Sequence, residues 1–527
     1  MKRIYMILLT LSVAGLNSCK DFLEETPTDF VSIGNFYQNE NDIKSALAGV
    51  YDILGKNNAY GRNFFLEMDM SDEQNYNNQS VVPTAPDLQY FNYQTSDTKL
   101  EGVWSNLYQG VNRANLLIEN VDKATDLSAD KKTAYKAEAM FLRAYYYFLL
   151  TSNFGKVPLR LESTKSPNEV DFAPATYQEI YKQILDDMEF AAEKVADITA
   201  YNHGGRVTKS AVYGILARVN LKMAGAPMRD KSRFAEARKW AKKVMDIGYH
   251  QLHADYSQVF KNYAQKVYFN KESIWEVEFA YVSGTQYEEG QVGSSNGVIT
   301  SDRTLGYSYG LQRPMEVYYK RFDNQDLRRD WNISNFTYSN GQRVLLSGTN
   351  VTIYYNRYGA KFRREYENNP AKSVNTSIIN FPILRYADVL LMFAEADNAV
   401  NGGPSAEAIE AVNNVRRRAF GKMMAGATNI NEFDIANNLD EVEFQAFIQD
   451  ERSRELGYEA LRRFDLVRWG IYYSTMKNLL NFKSSAHVNY RVVPFIPAEN
   501  ISPKDTLFAI PSDEMTVNKL MVQNPGW

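Results

Sequence analysis

From Ser128 onward the apolar positions Tyr135, Ala139, Leu142, Tyr146 and Leu149 advance by four and three residues in turn. That step keeps them on one face of an α-helix, and no strand can use it. Asn153-Phe154-Gly155 and then Pro158 predict where the helix stops, with a glycine cap before a residue that cannot extend the ladder. Tyr177, Ile180, Ile184, Met188, Ala191 and Val195 repeat the pattern. Val212, Leu216, Val219 and Met223 give a third helix, closed at Gly225-Ala226-Pro227. Phe234, Ala237, Ala241 and Val244 give a fourth, closed at Gly248. Further helices are predicted over 42–55, 101–121, 384–400, 405–420, 441–457 and 459–480.

Helices of this length arrive in pairs with alanine at the contacts, which resembles tetratricopeptide-type repeats. Tyr213, Leu216 and Ala217 fit such a repeat's first helix, and Ala237 and Ala241 its second. The expected fold is mainly α, with paired tetratricopeptide-like helices forming a shell. That shell covers about 30–260 and 384–480. Residues 261–383 break the pattern: short alternating runs such as Ile274-Trp275-Glu276-Val277-Glu278-Phe279 predict strands between Gly, Ser and Asn. A stretch this long reads as a folded, loop-rich insertion with short strands. Residues 57–100 are also irregular, and 481–527 form a C-terminal tail. Binding residues favour irregular segments held on a rigid scaffold, so these stretches are where a site is expected.

The chain opens with Lys2 and Arg3, then an apolar run from Ile4 to Leu16. At 1.5 Å per residue that run is too short to cross a bilayer, which needs about 20 residues. It reads as a secretory signal, residues 1–18, removed from a single 19–527 domain. Leu16-Asn17-Ser18-Cys19 resembles a bacterial lipobox, and Cys19 is the only cysteine. Acylation there gives stable membrane attachment. The acidic Lys20-Asp21-Phe22-Leu23-Glu24-Glu25 that follows resembles the export signal carrying lipoproteins of Bacteroidetes-type bacteria to the outer face of the outer membrane.

Composition narrows the function. One Cys excludes a disulfide framework or multi-Cys metal centre, and four His leave little for acid–base chemistry. Lys+Arg 59 against Asp+Glu 63 leaves a net charge of -4, without the basic excess that nucleic acid demands. Tyr is abundant, at 36 residues. A Tyr-rich, mildly acidic chain of this kind reads as a binder that uses no cofactor.

Several blocks resemble the SusD/RagB-like outer-membrane lipoproteins. They are Ala137-Glu138-Ala139-Met140-Phe141-Leu142-Arg143-Ala144-Tyr145-Tyr146-Tyr147 with Asn153-Phe154-Gly155-Lys156-Val157-Pro158-Leu159, and Gly205-Arg206-Val207-Thr208-Lys209. Leu384-Arg385-Tyr386-Ala387-Asp388-Val389-Leu390-Leu391 with Ala394-Glu395-Ala396 is another. Glu451-Arg452, Arg454-Glu455-Leu456, Arg463-Phe464-Asp465-Leu466-Val467-Arg468-Trp469-Gly470 and the closing Gln523-Asn524-Pro525-Gly526-Trp527 complete the set. The resemblance implies that the helical repeats face a SusC-like TonB-dependent transporter barrel while the irregular portion captures nutrient. The charged residues of these blocks, Arg385, Asp388, Glu395, Glu451, Arg454 and Asp465, lie on apolar helices and are expected to form buried or half-buried ion pairs.

Catalytic motifs are weak. Gly293-Ser294-Ser295-Asn296-Gly297 fits a nucleophile-elbow spacing, but no helix is predicted after it and only His487 lies downstream, so a flexible loop is expected. Glu276 and Glu278 share one side of a strand at about 7 Å, a spacing compatible with glycoside hydrolysis. Alternation with Trp275, Val277 and Phe279 places both on the solvated side. His250 and His253 are expected at the surface, and Asp323-Asn324-Gln325-Asp326 lacks the glycine and terminal glutamate of a calcium loop. Sugars stack on aromatic rings and hydrogen-bond to amides and carboxylates. The expected ligand set is therefore Asp72, Asn75, Tyr76, Tyr281, Tyr287, Tyr307 and Tyr309. The function expected is non-covalent capture of an oligosaccharide. A peptide-capturing lid, a surface glycoside hydrolase and a lid without a ligand of its own are the alternatives.

Overall fold

The computed structural model describes residues 35–78, 87–281, 290–346, 352–368, 372–486 and 488–527. Cys19, the leader before it and His487 lie outside them. The fold is mainly helical. Helices α1 (Glu40–Gly55), α2 (Thr98–Asn120), α3 (Ala129–Phe154), α4 (Tyr177–Lys194), α5 (Lys209–Ala224), α6 (Arg233–Asp246) and α7 (Tyr256–Gln265) form the first part of the scaffold. After the irregular segment come α8 (Tyr386–Asn401), α9 (Ala406–Ala419), α10 (Glu441–Leu456) and α11 (Arg462–Arg468). Consecutive helices pack as neighbours from α1 to α6, and α8 lies against α6, α9 and α10. The stop expected at Gly155 forms, and side-chain caps hold the helix starts. Ser128 caps α3, Thr176 closes a capping box on α4, and Gly155 ends α3 at φ 80°.

Helix α3 is buried on every side from Ala137 to Phe154, apart from Met140. Three consecutive tyrosines survive there because each hydroxyl finds a partner. Tyr145 meets Tyr60 at 2.6 Å, Tyr146 donates to the Val50 carbonyl at 2.6 Å, and Tyr147 donates to the Arg160 carbonyl at 2.7 Å. A tyrosine so placed adds the apolar burial of a ring to a hydrogen bond worth about 1 kcal/mol net. Much of the chain's tyrosine is therefore core.

The strands are short and pair two by two: β1 (Asn75–Asn77) with β3 (Gln312–Pro314), β2 (Ser273–Val277) with β6 (Phe381–Arg385), and β4 (Phe336–Ser339) with β5 (Gln342–Leu345), all antiparallel. The β2–β6 pair ties the irregular segment to the scaffold, since β6 runs directly into α8.

The charged residues of the sequence blocks form buried ion pairs, as expected. The Arg385 guanidinium meets Glu459 at 2.7 Å and Glu272 and Glu455 at 2.9 Å. Asp388 accepts from Arg218 at 2.6 Å and Arg452 at 2.7 Å, and Arg452 continues to Asp465 at 2.7 Å. Arg468 then links Asp465 to Glu395. Glu451 and Glu455 share Arg328. Each guanidinium thus staples several chain segments at once. The closing block works similarly, because the Asn524 amide donates to the carbonyls of Phe154 and Phe508 and locks the tail onto the end of α3.

Several expectations are corrected. The helix expected over 459–480 breaks at Gly470, whose φ of 75° ends α11 before a separate helix at Tyr472–Asn478. Leu384 and Arg385 belong to β6, because pairing with β2 outweighs the helical period. Val292–Ser295 is a buried helical turn and not a loop: Ser295 is 1% exposed, and Ser294 donates to the Asn375 carbonyl at 2.8 Å. His250 is buried and bonded to Ser210 at 2.8 Å, and burial pushes its imidazole down to about 4. Glu276, expected in solvent, is 4% exposed. β6 covers one edge of its strand and the His203–Arg206 loop the other, through a bond from the Glu276 amide to the Gly204 carbonyl at 3.0 Å.

Candidate ligand-binding site

Pairing of β1 with β3 sets Tyr76 opposite Arg313 and so joins the two irregular stretches. The seam continues on both sides, with the Asn78 amide donating to Leu311 and the Met315 amide to Gln74, each at 2.8 Å. Asp72, Asn75 and Tyr76, expected at a ligand surface, lie inside this seam at 4%, 5% and 2% exposure. Asp72 accepts from the Gln74 amide and the Asn75 side chain, both at 2.8 Å. Burial, reinforced by the neighbouring Glu73 charge, holds the Asp72 carboxyl well above the usual range. For Glu73 burial works the same way, but Arg462 at 2.7 Å and Arg321 at 3.0 Å outweigh it and bring the group down to about 2. This double clamp is what draws the segment inward. Asp72, Asn75 and Tyr76 make a floor and not a contact surface.

The chain from Thr300 to Leu311, which leads into β3, is pinned by backbone bonds. Thr300 and Ser308 exchange amide bonds at 3.0 Å, Tyr309 donates to Ser294 at 2.8 Å, and Leu311 donates to Ser295 at 3.0 Å. Gly310 sits at φ 58°, and a Cβ there would come within 2.8 Å of the Tyr358 ring and 2.9 Å of Ile299. Only glycine fits. The turn leaves the Tyr309 ring 40% exposed, with its hydroxyl donating to Asn375 at 2.6 Å. Tyr307 packs against it at 4.9 Å between centroids and 70° between planes. The two rings therefore meet edge to face and do not form one flat platform. Ile299 is 37% exposed beside Gly310, and the Arg313 guanidinium lies 4.7 Å from the centre of the half-buried Tyr358 ring.

The result is an aromatic, amide-edged surface carried on fixed backbone, of the kind that receives a sugar ring. Tyr281 is 37% exposed at the start of residues 282–289, which lie outside the described residues together with Tyr287. Among the expected residues, the structure brings Tyr307 and Tyr309 together. Sequence reading missed Ile299, Arg313, Tyr358 and Asn375. The one local signal was the pair Gly306 and Gly310 bracketing the two tyrosines, both at positive φ. Among the described residues no cluster of three His, Cys, Asp or Glu is placed to hold a metal ion.

A sequence profile described as the SusD family matches residues 271–527, and one described as starch-binding associating with outer membrane matches residues 21–221. SusD-like protein P25 of Formosa agariphila is 27% identical across 96% of this chain and 95% of its own length. The crystal structure of a SusD homologue from Bacteroides thetaiotaomicron superposes with a TM-score of 0.86 at 30% identity, covering 96% of this chain and 100% of the other. Surface glycan-binding protein A from Bacteroides fluxus superposes with a TM-score of 0.71 at 25% identity, covering 93% and 100% respectively.

Proposed function

The chain belongs to the SusD family, and from that premise we propose that it is a lipoprotein of the outer membrane that captures an oligosaccharide outside the cell and hands it to a SusC-like TonB-dependent transporter barrel. Cys19 is the tether. The irregular segment is the ligand side, and the paired helices serve the transporter. The observation that carries the binding role is the exposed Tyr309 ring, fixed by backbone bonds and flanked by Tyr307, Asn375 and Tyr358. A protein similar to this one along nearly its whole length is named as a surface glycan-binding protein, which supports a glycan over other nutrients.

Capture occurs without cleavage. The ring's C–H-binding face and the Asn375 amide recognise a sugar, and the bound chain leaves with its length unchanged. A glycan-array screen, followed by chain-length analysis of each bound oligosaccharide, tests this. Binding to a defined glycan class with no new reducing ends is the expected result. Turnover that disappears in Glu276→Gln or Glu278→Gln would replace capture with hydrolysis.

A further inference from the structure

A second cleft, of about 330 Å³, opens where α1, the start of α3, the His203–Arg206 loop and the end of β2 meet. Leu47, Leu54, Val277 and Phe279 supply apolar surface, and Tyr51 and Tyr135 supply ring edges and hydroxyls. The volume lies at the lower end of small-ligand sites, roughly 300–1,000 Å³, which suits a ligand of one or two rings. None of the residues of the Tyr309 surface lines it.

Charge compensation in this cleft is uneven. Lys44 pairs with Glu40 at 3.1 Å, and Asp52 with Lys56 at 2.6 Å and Arg113 at 2.9 Å. Arg206 pairs with Glu138, and Glu278 with His203 at 2.9 Å. Glu276 differs. It accepts from two neutral donors, the Ser273 hydroxyl at 2.7 Å and the Asn380 amide at 3.0 Å. Among the described residues no cation lies within ion-pair distance of it. The nearby Lys266 ammonium donates instead to the Phe279 carbonyl and the Asn380 side chain. A carboxylate can accept about four hydrogen bonds, so Glu276 retains capacity on both oxygens. A buried carboxylate without a counter-ion is costly, and a cation brought to it recovers that cost.

We propose that this cleft binds a small primary amine with a sugar-sized body, its ammonium group paired with Glu276 and its ring lying against Tyr51 and Phe279. The Gly204–Gly205 backbone is built to permit this. A Cβ at Gly204 would come within 2.9 Å of the Glu276 carboxyl, and one at Gly205 within 2.8 Å of Glu278. The loop can therefore press close against both acids and form one wall of the cleft.

The site also carries a pH signature. Burial and the Glu278 charge push the Glu276 carboxyl up to about 7, against the opposing pull of Ser273, Asn380 and Lys266. His203, Tyr263 and Tyr268 are the other titratable groups around it. An ammonium ligand favours the ionised carboxyl, so binding is about tenfold tighter at pH 8 than at pH 6 and releases protons at the lower pH.

The test is calorimetry on the full chain with methyl 6-amino-6-deoxyglucoside, an alkylamine that stays protonated across this range, and with methyl glucoside as its neutral counterpart. The amine should bind at least tenfold more tightly than the neutral sugar. Glu276→Gln should remove that preference. So should Ala48→Trp, which blocks the exposed rim from α1 and leaves the acid untouched. Tyr309→Ala should leave amine binding unchanged, which separates this cleft from the proposed oligosaccharide surface. Equal binding of the two sugars, no binding of the amine by wild type, or retention of the preference in both cleft variants would overturn the proposal.

Discussion

Arg385 shows what the charged residues of this chain do. One guanidinium, 1% exposed, meets Glu272, Glu455 and Glu459, which come from the strand's approach, α10 and the turn beyond it. Removing it leaves three buried carboxylates competing for the remaining cations. Breaking a buried pair in this way costs about 3–5 kcal/mol, so Arg385→Ala and Asp388→Ala should each lower the denaturation midpoint markedly. Asp388 adds a pH test. Burial alone would raise its carboxyl, but Arg452 and Arg218 outweigh burial and hold it at about 2. A depressed folded value stabilises above the ordinary aspartate value of about 4 and is lost as pH falls through about 2. The gap in urea midpoint between wild type and Asp388→Asn should therefore be wide at pH 7 and narrow near pH 2. A gap independent of pH would contradict the ion-pair assignment. Gly310 makes a separate residue-scale prediction. Gly310→Ala meets both a positive φ and the Tyr358 ring, so it should move the Tyr309 turn and weaken oligosaccharide binding, which calorimetry would register.

At the scale of elements, the helices were legible because a 3.6-residue period is local and repeats over several turns. The glycine signal at Gly155 marked the end of α3 correctly, and the structure adds the caps at Ser128 and Thr176. What the period could not show was interruption by context. Leu384 continues the apolar step of α8, yet it and Arg385 belong to β6 because β2 lies beside them. Gly470 splits the helix expected over 459–480, since its left-handed backbone suits glycine far better than other residues. Gly470→Ala should cost about 1 kcal/mol of stability from that conformation. It has open space around its Cβ direction, with no neighbour closer than 3.9 Å, so oligosaccharide affinity should not change. The candidate surface was legible only in part. Tyr76 and Tyr309 look alike in sequence, each a tyrosine among polar residues in an irregular stretch. The β1–β3 register buries the first, and the Gly306–Gly310 turn exposes the second. Such a distinction rests on long-range pairing, which no local pattern encodes. Glu276 was misplaced for the same reason, because alternation indicates a strand's two faces and not what will cover them.

Over the whole molecule, a helical scaffold riveted by buried ion pairs carries an irregular segment that leaves aromatic rings such as Tyr309 exposed. No helix among the described residues is long and apolar enough to cross a bilayer, and the proposed function assigns membrane attachment to Cys19. Cys19→Ala should abolish acyl labelling and release the protein from membranes. Retention after a high-salt wash would mean a different anchor. The division of labour between scaffold and surface is tested most directly by paired calorimetry and thermal melting on Tyr309→Ala and Asp388→Ala with one oligosaccharide ligand. Loss of the Tyr309 ring should weaken binding several-fold, equivalent to about 0.5–1.5 kcal/mol, at an unchanged melting temperature. Asp388→Ala should lower the melting temperature and keep its affinity at temperatures where it is folded. Unchanged binding in Tyr309→Ala, together with lost binding and intact stability in Asp388→Ala, would contradict the account.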